Sequence, residues 1–331
     1  MIPFILKKNL NHDAFAEYLI TAQTTNQFTN DGWAVRELEL RAKYMLKIDD
    51  SKAVIATSSG TSALHAILYG MIRKDNHQYR ISTSDFTFPS NSQGPASGPI
   101  IADLNSEYCI NLDDPYLQES SDLVIVTNCF GHLENLDEVI AKTEGRSKKL
   151  IFDNAATPYS FWNDTNSCNL GTASYISLHH TKPLGFGEGG LAIIDREYET
   201  HVRAACNFGK LDQSFNEYGS NYKMSDISAA AILQWWDQFD INTLKEMYQN
   251  NYYKLRYEMI NHEGDFWPNY SKSFFPTCLP YVFKDTFSND KTEREVKKYY
   301  KPLRGLPGAT FTFEHINCIG ITEGVEDCLN K

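Results

Sequence analysis

Short apolar runs, mostly β-branched, recur along the first two thirds of the chain: Ala53–Thr57, Leu123–Thr127, Leu150–Asp153, Ala173–Leu178 and Leu191–Ile194. Continuous apolar runs of this length suit strands covered on both faces. Between several of them the apolar positions return every three to four residues, as in Val35–Leu46 and Leu133–Lys142, which predicts helices. Strand and helix in alternation predict a largely parallel α/β sheet. Past Gln234 the pattern changes. Trp235–Ile260 reads as one long aromatic-rich helix, Thr277–Phe283 as a strand, and Lys291–Tyr300 as a charged surface helix. The expected organisation is a large α/β domain over 1–235 and a smaller α+β lobe over 236–331. Gly98-Pro99 and Gly305-Leu306-Pro307-Gly308 read as turns.

Composition narrows the class. With 331 residues, 42% hydrophobic and 22% charged, the chain is an ordinary globular one, which excludes disorder, collagen and coiled coil. No run approaches the roughly 20 apolar residues that span a bilayer. The start, MIPFILKKNLNHD, places apolar residues before lysines, the reverse of a signal peptide, so a cytoplasmic location is expected. A net charge of -11 argues against nucleic acid as a partner, and any anionic ligand must be held by a local site. Seven cysteines, an odd number without a CxxC pair, read as free thiols in a reducing compartment. No metal site is expected either. His179 and His180 are adjacent, and neighbours on a strand face opposite ways.

Four segments carry candidate chemistry. In Thr57-Ser58-Ser59-Gly60-Thr61-Ser62 a strand ends and a helix begins, so backbone amides and hydroxyls meet at a helix N-terminus. That is either a simple cap, with Thr61 or Ser62 as the capping residue, or an anion site. Asp153 ends a strand, at the edge where ligands sit in open α/β sheets, and is either a helix cap or a ligand contact. Ser177 through Gly190 is a strand end followed by a glycine-dense loop with one lysine, Lys182. That lysine is either solvated or a desolvated nucleophile able to form a Schiff base. Tyr218 through Ile227 is a polar turn before a helix that Ser225 or Asp226 would cap.

Taken in order, these segments resemble the DegT/DnrJ/EryC/StrS family of sugar aminotransferases, which have the type I fold of pyridoxal-phosphate enzymes. The likeness runs from about Thr29 to Leu233. It includes Phe28 through Gly32, Val35 through Glu39, Ser59 through Leu64, Phe86-Thr87-Phe88, Asp153 with its alanines, Ser177 through Gly190 and Gly219 through Met224. The resemblance implies a role for each matching residue. Lys182 is similar to the lysine that joins the cofactor as an imine, and Asp153 to the carboxylate on its ring nitrogen. Phe88 falls where an aromatic stacks on the ring. Gly60, Thr61 and Ser62, with Ser177, match the phosphate site. Asn221 matches an asparagine that reaches a phosphate across a homodimer interface. The implied cofactor is pyridoxal 5'-phosphate. The implied substrates are L-glutamate and a nucleotide-linked keto-sugar, aminated at C4 in preference to C3.

The chain departs from the family at several points. Ala156 stands where many members carry Gln or His, Lys223 stands where an arginine is frequent, and the C-terminal lobe is short. Its histidine-containing substrate segment has only faint echoes in Tyr299 through Leu303 and Glu314-His315. A dehydratase branch of the same fold carries a histidine in place of the lysine. Lys182 therefore favours transamination over that alternative, and over a non-catalytic regulatory protein on this fold.

Overall fold

The structure is a computed structural model and describes residues 1–212, 214–261, 263–284 and 294–329. The chain forms two compact units. One comprises Lys7–Tyr79 and Cys168–Ile241; the other comprises Met1–Leu6, Arg80–Ser167 and the described residues from Asn242 to Leu329.

In the first unit, strand Gly190–Asp195 lies between Lys52–Thr57 and Ala173–Ser177, antiparallel to both. Its register sets Gly190 opposite both Thr57 and Ser177. A Cβ on Gly190 would run into the backbone of Ser59, so glycine is what lets the strand pass the turn at residue 59. Helix Gly60–Asp75 crosses helix Glu199–Cys206 closely, because Gly70 faces Val202 without a side chain. Helix Asp226–Trp236 packs on His12–Thr25 through Ala230, Leu19 and Ala22.

In the second unit, four parallel strands lie in the order Lys149–Asp153, Leu123–Thr127, Ile81–Ser84, Ile100–Ala102. Leu123–Thr127 and Lys149–Asp153 are buried along nearly their whole length, which matches their largely apolar sequence. A second, antiparallel sheet joins Gly264–Phe266, Leu279–Phe283, Ile316–Ile319 and Val296–Lys297. An aromatic core of Phe4, Phe86, Phe130, Trp267 and Tyr300 packs there with Cys278 and Cys318.

Three expectations need correction. The long helix over Trp235–Ile260 is two helices, Asp226–Trp236 and Ile241–Glu258. The first ends at Trp236 with Asp237 as its C-cap, and the Asp237 carboxylate meets Arg41 and accepts from the Tyr18 hydroxyl at 2.8 Å. The charged helix over Lys291–Tyr300 is absent from the described part of that segment. Lys291, Thr292 and Glu293 lie outside the described residues, Val296–Lys297 is a strand, and Tyr300 turns into the aromatic core. At the last turn, Gly305 takes a left-handed φ of 78°, but Pro307 and Gly308 already belong to helix Pro307–His315. Proline suits that first helical position because its missing N–H has no partner to lose.

Candidate active site

Asp153 ends its strand in register with Thr127 on the parallel neighbour. Its side chain is 1% exposed. The nearby turn Pro89–Ser92 supplies Asn91, whose Nδ2 donates to Asp153 Oδ2 at 3.1 Å. The same amide lies 2.8 Å from Thr87 Oγ1 and 3.2 Å from Thr127 Oγ1, and those two hydroxyls are 2.6 Å apart. The other carboxylate oxygen, Oδ1, accepts from Ala155 N at 3.0 Å. The carboxylate is thus held from both sides in a dry place. No helix follows between residues 154 and 160, so of the two readings Asp153 is not a helix cap. The buried Tyr300 hydroxyl has its pKa pushed well above the usual value, first by burial and then by Cys129 and the nearby Asp153. Phe88 is 45% exposed just before the Asn91 turn, and Ala156 is buried.

In the other unit, Ser59 caps helix Gly60–Asp75; Thr61 and Ser62 do not. Ser59 Oγ accepts from Ser62 N at 3.1 Å, and the Ser62 hydroxyl lies 2.9 Å from that of Ser58. Ser58 is tied in turn to Tyr222 O through its amide, at 2.8 Å. A Cβ on Gly60 would stand 3.1 Å from the Ser177 Cβ, so the turn and Ser177 share one small volume. Three serine hydroxyls, Ser177 and the first amides of a helix form a donor set suited to a phosphate. Asn221 is exposed and bridges Asn207. Lys223 donates to Asn207 Oδ1 at 2.8 Å. Ser225, not Asp226, caps helix Asp226–Trp236, with its Oγ accepting from Ser228 N at 3.1 Å.

Lys182 lies on the loop after Ser177. Its amide donates to His179 O at 2.8 Å, and its own carbonyl accepts from Gly185 N at 3.0 Å. The turn is tight, since a Cβ on Gly185 would collide with the carbonyls of Leu178 and His179. Lys8 Nζ donates to the carbonyls of His180 at 2.8 Å, Lys182 at 2.6 Å, and Gly185. Trp235 and Trp236 donate their indole N–H groups to Pro183 O and Leu184 O, at 3.0 and 2.7 Å. Burial pulls the pKa of the Lys8 amine down to about 7. Among the described residues no group of His, Cys, Asp and Glu could hold a metal ion, and no helix is long and apolar enough to cross a membrane.

The structure thus places Asp153 and Phe88 in one unit and Gly60, Thr61, Ser62, Ser177, Lys182 and Asn221 in the other. Sequence reasoning missed Asn91, Thr127 and Lys8. Thr127 had a readable signal, because it ends the parallel strand beside Asp153 and so shares the same sheet edge. Asn91 and Lys8 had none.

The fold is that of the pyridoxal-phosphate-dependent aminotransferases. Solved structures that match the chain bear this out. DesI, crystallised with its TDP-sugar product, superposes with a TM-score of 0.78 at 17% identity, over 98% of this chain and 90% of its own. The GDP-4-keto-6-deoxy-D-mannose-3-dehydratase of E. coli, with bound hydrated pyridoxal phosphate, gives 0.77 at 13% identity, over the whole of both chains (100% and 100%). The chain belongs to the DegT/DnrJ/EryC1/StrS aminotransferase family, which it matches over residues 10–272. A curated relative, the dTDP-4-amino-4,6-dideoxy-D-glucose transaminase of Shigella dysenteriae, is 23% identical over 319 residues, 91% of this chain and 85% of the relative. The protein is a pyridoxal-phosphate-dependent sugar transaminase.

Proposed function

We propose that the protein transfers an amino group from L-glutamate to the C4 keto group of a nucleotide-linked 6-deoxyhexose. A lysine at 182 carries the reading, since the dehydratase branch has a histidine there. The name of the Shigella relative, a 4-amino-sugar transaminase, supports C4. Bound pyridoxal phosphate supplies an electron sink for the electrons left when a proton departs from the amine-bearing carbon. The protein's residues then have separate duties. Asp153, oriented by Asn91 and Ala155 N, favours a protonated ring nitrogen through a charge-assisted hydrogen bond of about 1.5–3 kcal/mol. Gly60, Thr61, Ser62 and Ser177 would hold the phosphate, and Phe88 would offer its face to the ring. Lys182 would hold the cofactor covalently, and its freed amine would serve to move a proton at the reacting carbon. Arginine could not serve there because it does not deprotonate. Asn221 serves a phosphate across a homodimer interface.

Two measurements test this. Protein treated with pyridoxal phosphate and borohydride must carry the adduct on Lys182, and Lys182→Ala must carry none. A panel of 3-keto and 4-keto nucleotide sugars incubated with glutamate must release 2-oxoglutarate with a 4-keto member. Loss of a sugar hydroxyl without net amination would identify a dehydratase instead.

A further inference from the structure

The loop from His180 to Gly185 presents its carbonyl oxygens to N–H donors almost without interruption. Those of His180, Lys182 and Gly185 converge on one ammonium group, Lys8 Nζ. Those of Pro183 and Leu184 are taken by the two indoles. When protonated, the amine has three N–H donors, and three carbonyls then use its whole donor capacity. The Lys8 amine also lies 5.3 Å from the centre of the Trp235 ring, so the cation is placed by an aromatic face as well. Nothing in this arrangement faces outward to bind a solute. Its effect is to fix the backbone on both sides of Lys182.

We propose that Lys8 is a positioning residue. It grips the 180–185 loop by its carbonyls and so fixes the place from which the Lys182 amine acts. This rests on the reading of Lys182 given above. Lys8 does not touch the reaction. It removes freedom from the backbone that carries the reacting amine, and placement of that kind bears on attack at an aldehyde more than on binding of the ring or phosphate. Arginine at position 8 would present a planar fork to carbonyls that surround a point donor, and would restore little.

The test uses full-length protein freed of cofactor, in the wild type, Lys8→Met, Lys8→Arg and Trp236→Phe. Rapid mixing with pyridoxal phosphate follows covalent attachment by absorbance. Titration with pyridoxamine phosphate, which has no aldehyde, measures non-covalent binding. Amide hydrogen exchange of residues 180–187 reports the loop directly. The expected result for Lys8→Met is attachment slowed by about 10-fold, equivalent to about 1.4 kcal/mol. Pyridoxamine phosphate affinity should stay within about twofold, and loop exchange should be faster. Lys8→Arg should resemble Lys8→Met. Trp236→Phe, which removes one grip and keeps the apolar bulk, should show a smaller effect of the same kind and decides the matter if Lys8→Met does not fold. Unchanged attachment would overturn the proposal. So would a parallel fall in attachment, pyridoxamine phosphate affinity and melting temperature, which marks a merely structural lysine. If wild-type protein never forms an adduct at Lys182, the functional reading fails separately, and the exchange data still decide whether Lys8 holds the loop.

Discussion

Replacing Asn91 by alanine isolates the support under Asp153. Asn91 is fully buried and its one amide nitrogen serves Asp153 Oδ2, Thr87 and Thr127. Without it, Oδ2 loses this donor, and the Thr127 hydroxyl stands farther off, at 3.5 Å. A buried acceptor left short of a donor costs about 1–3 kcal/mol, and the void left by the amide adds to this, for a total of about 2–4 kcal/mol. At about 2.1 cal/mol/K per residue, 331 residues give an unfolding entropy near 0.7 kcal/mol/K, so melting should fall by about 3–6 °C. The carboxylate should also lose its aim, weakening pyridoxal phosphate binding by about 10-fold, since one charge-assisted hydrogen bond is worth that much. Calorimetry and cofactor titration by absorbance measure the two effects. Asn91→Asp should be worse on both counts, because a second carboxylate beside Asp153 repels it. An Asn91→Ala protein with wild-type melting and wild-type cofactor affinity would refute the argument that this amide sustains the acid.

Two further substitutions probe other parts of the molecule. Burial lifts the Glu134 carboxyl to about 8, against the bond it accepts from Ile110 N. A raised acid favours the protonated folded state, so its contribution is complete below pH 4.5 and is lost as pH rises to about 8. Glu134→Gln should therefore melt with the wild type near pH 5 and above it, by a few kcal/mol at about 1.4 per pH unit, near pH 8.5; a pH-independent difference would contradict this. Gly190→Ala should push the strand away from Ser59, costing several kcal/mol and weakening phosphate binding together; an unperturbed variant would show that the close approach is not needed.

The strands were the most legible part of the fold. The five apolar runs became strands within a residue or so of their expected ends, because burial on both faces leaves no polar position to blur the pattern. The helix over 235–260 misled because Trp235, Trp236, Phe239, Ile241 and Leu244 keep a helix-like apolar spacing across the break between Trp236 and Ile241. Lys291–Tyr300 misled because its charges mask Val296, Tyr299 and Tyr300, whose partners lie elsewhere in the unit. At the candidate site, the residues belonging to motifs could be put forward as candidates from the sequence. Those that orient them could not. Asn91 occupies an unremarkable turn, and Lys8 is one of two adjacent lysines near the start of the chain that nothing local distinguishes.

Asp226 shows how far such dependence reaches. It does not cap its own helix; its buried carboxylate accepts from Ala34 N at 2.8 Å and Val35 N at 3.4 Å, at the opening of helix Trp33–Met45. Gly32, where that helix would place its own cap, has no side chain and no room for one beside Asp226. During synthesis the ribosome must therefore deliver nearly two hundred more residues before this early helix can be finished. A nascent chain released short of that point would hold it frayed at one end, its first amides turned to water.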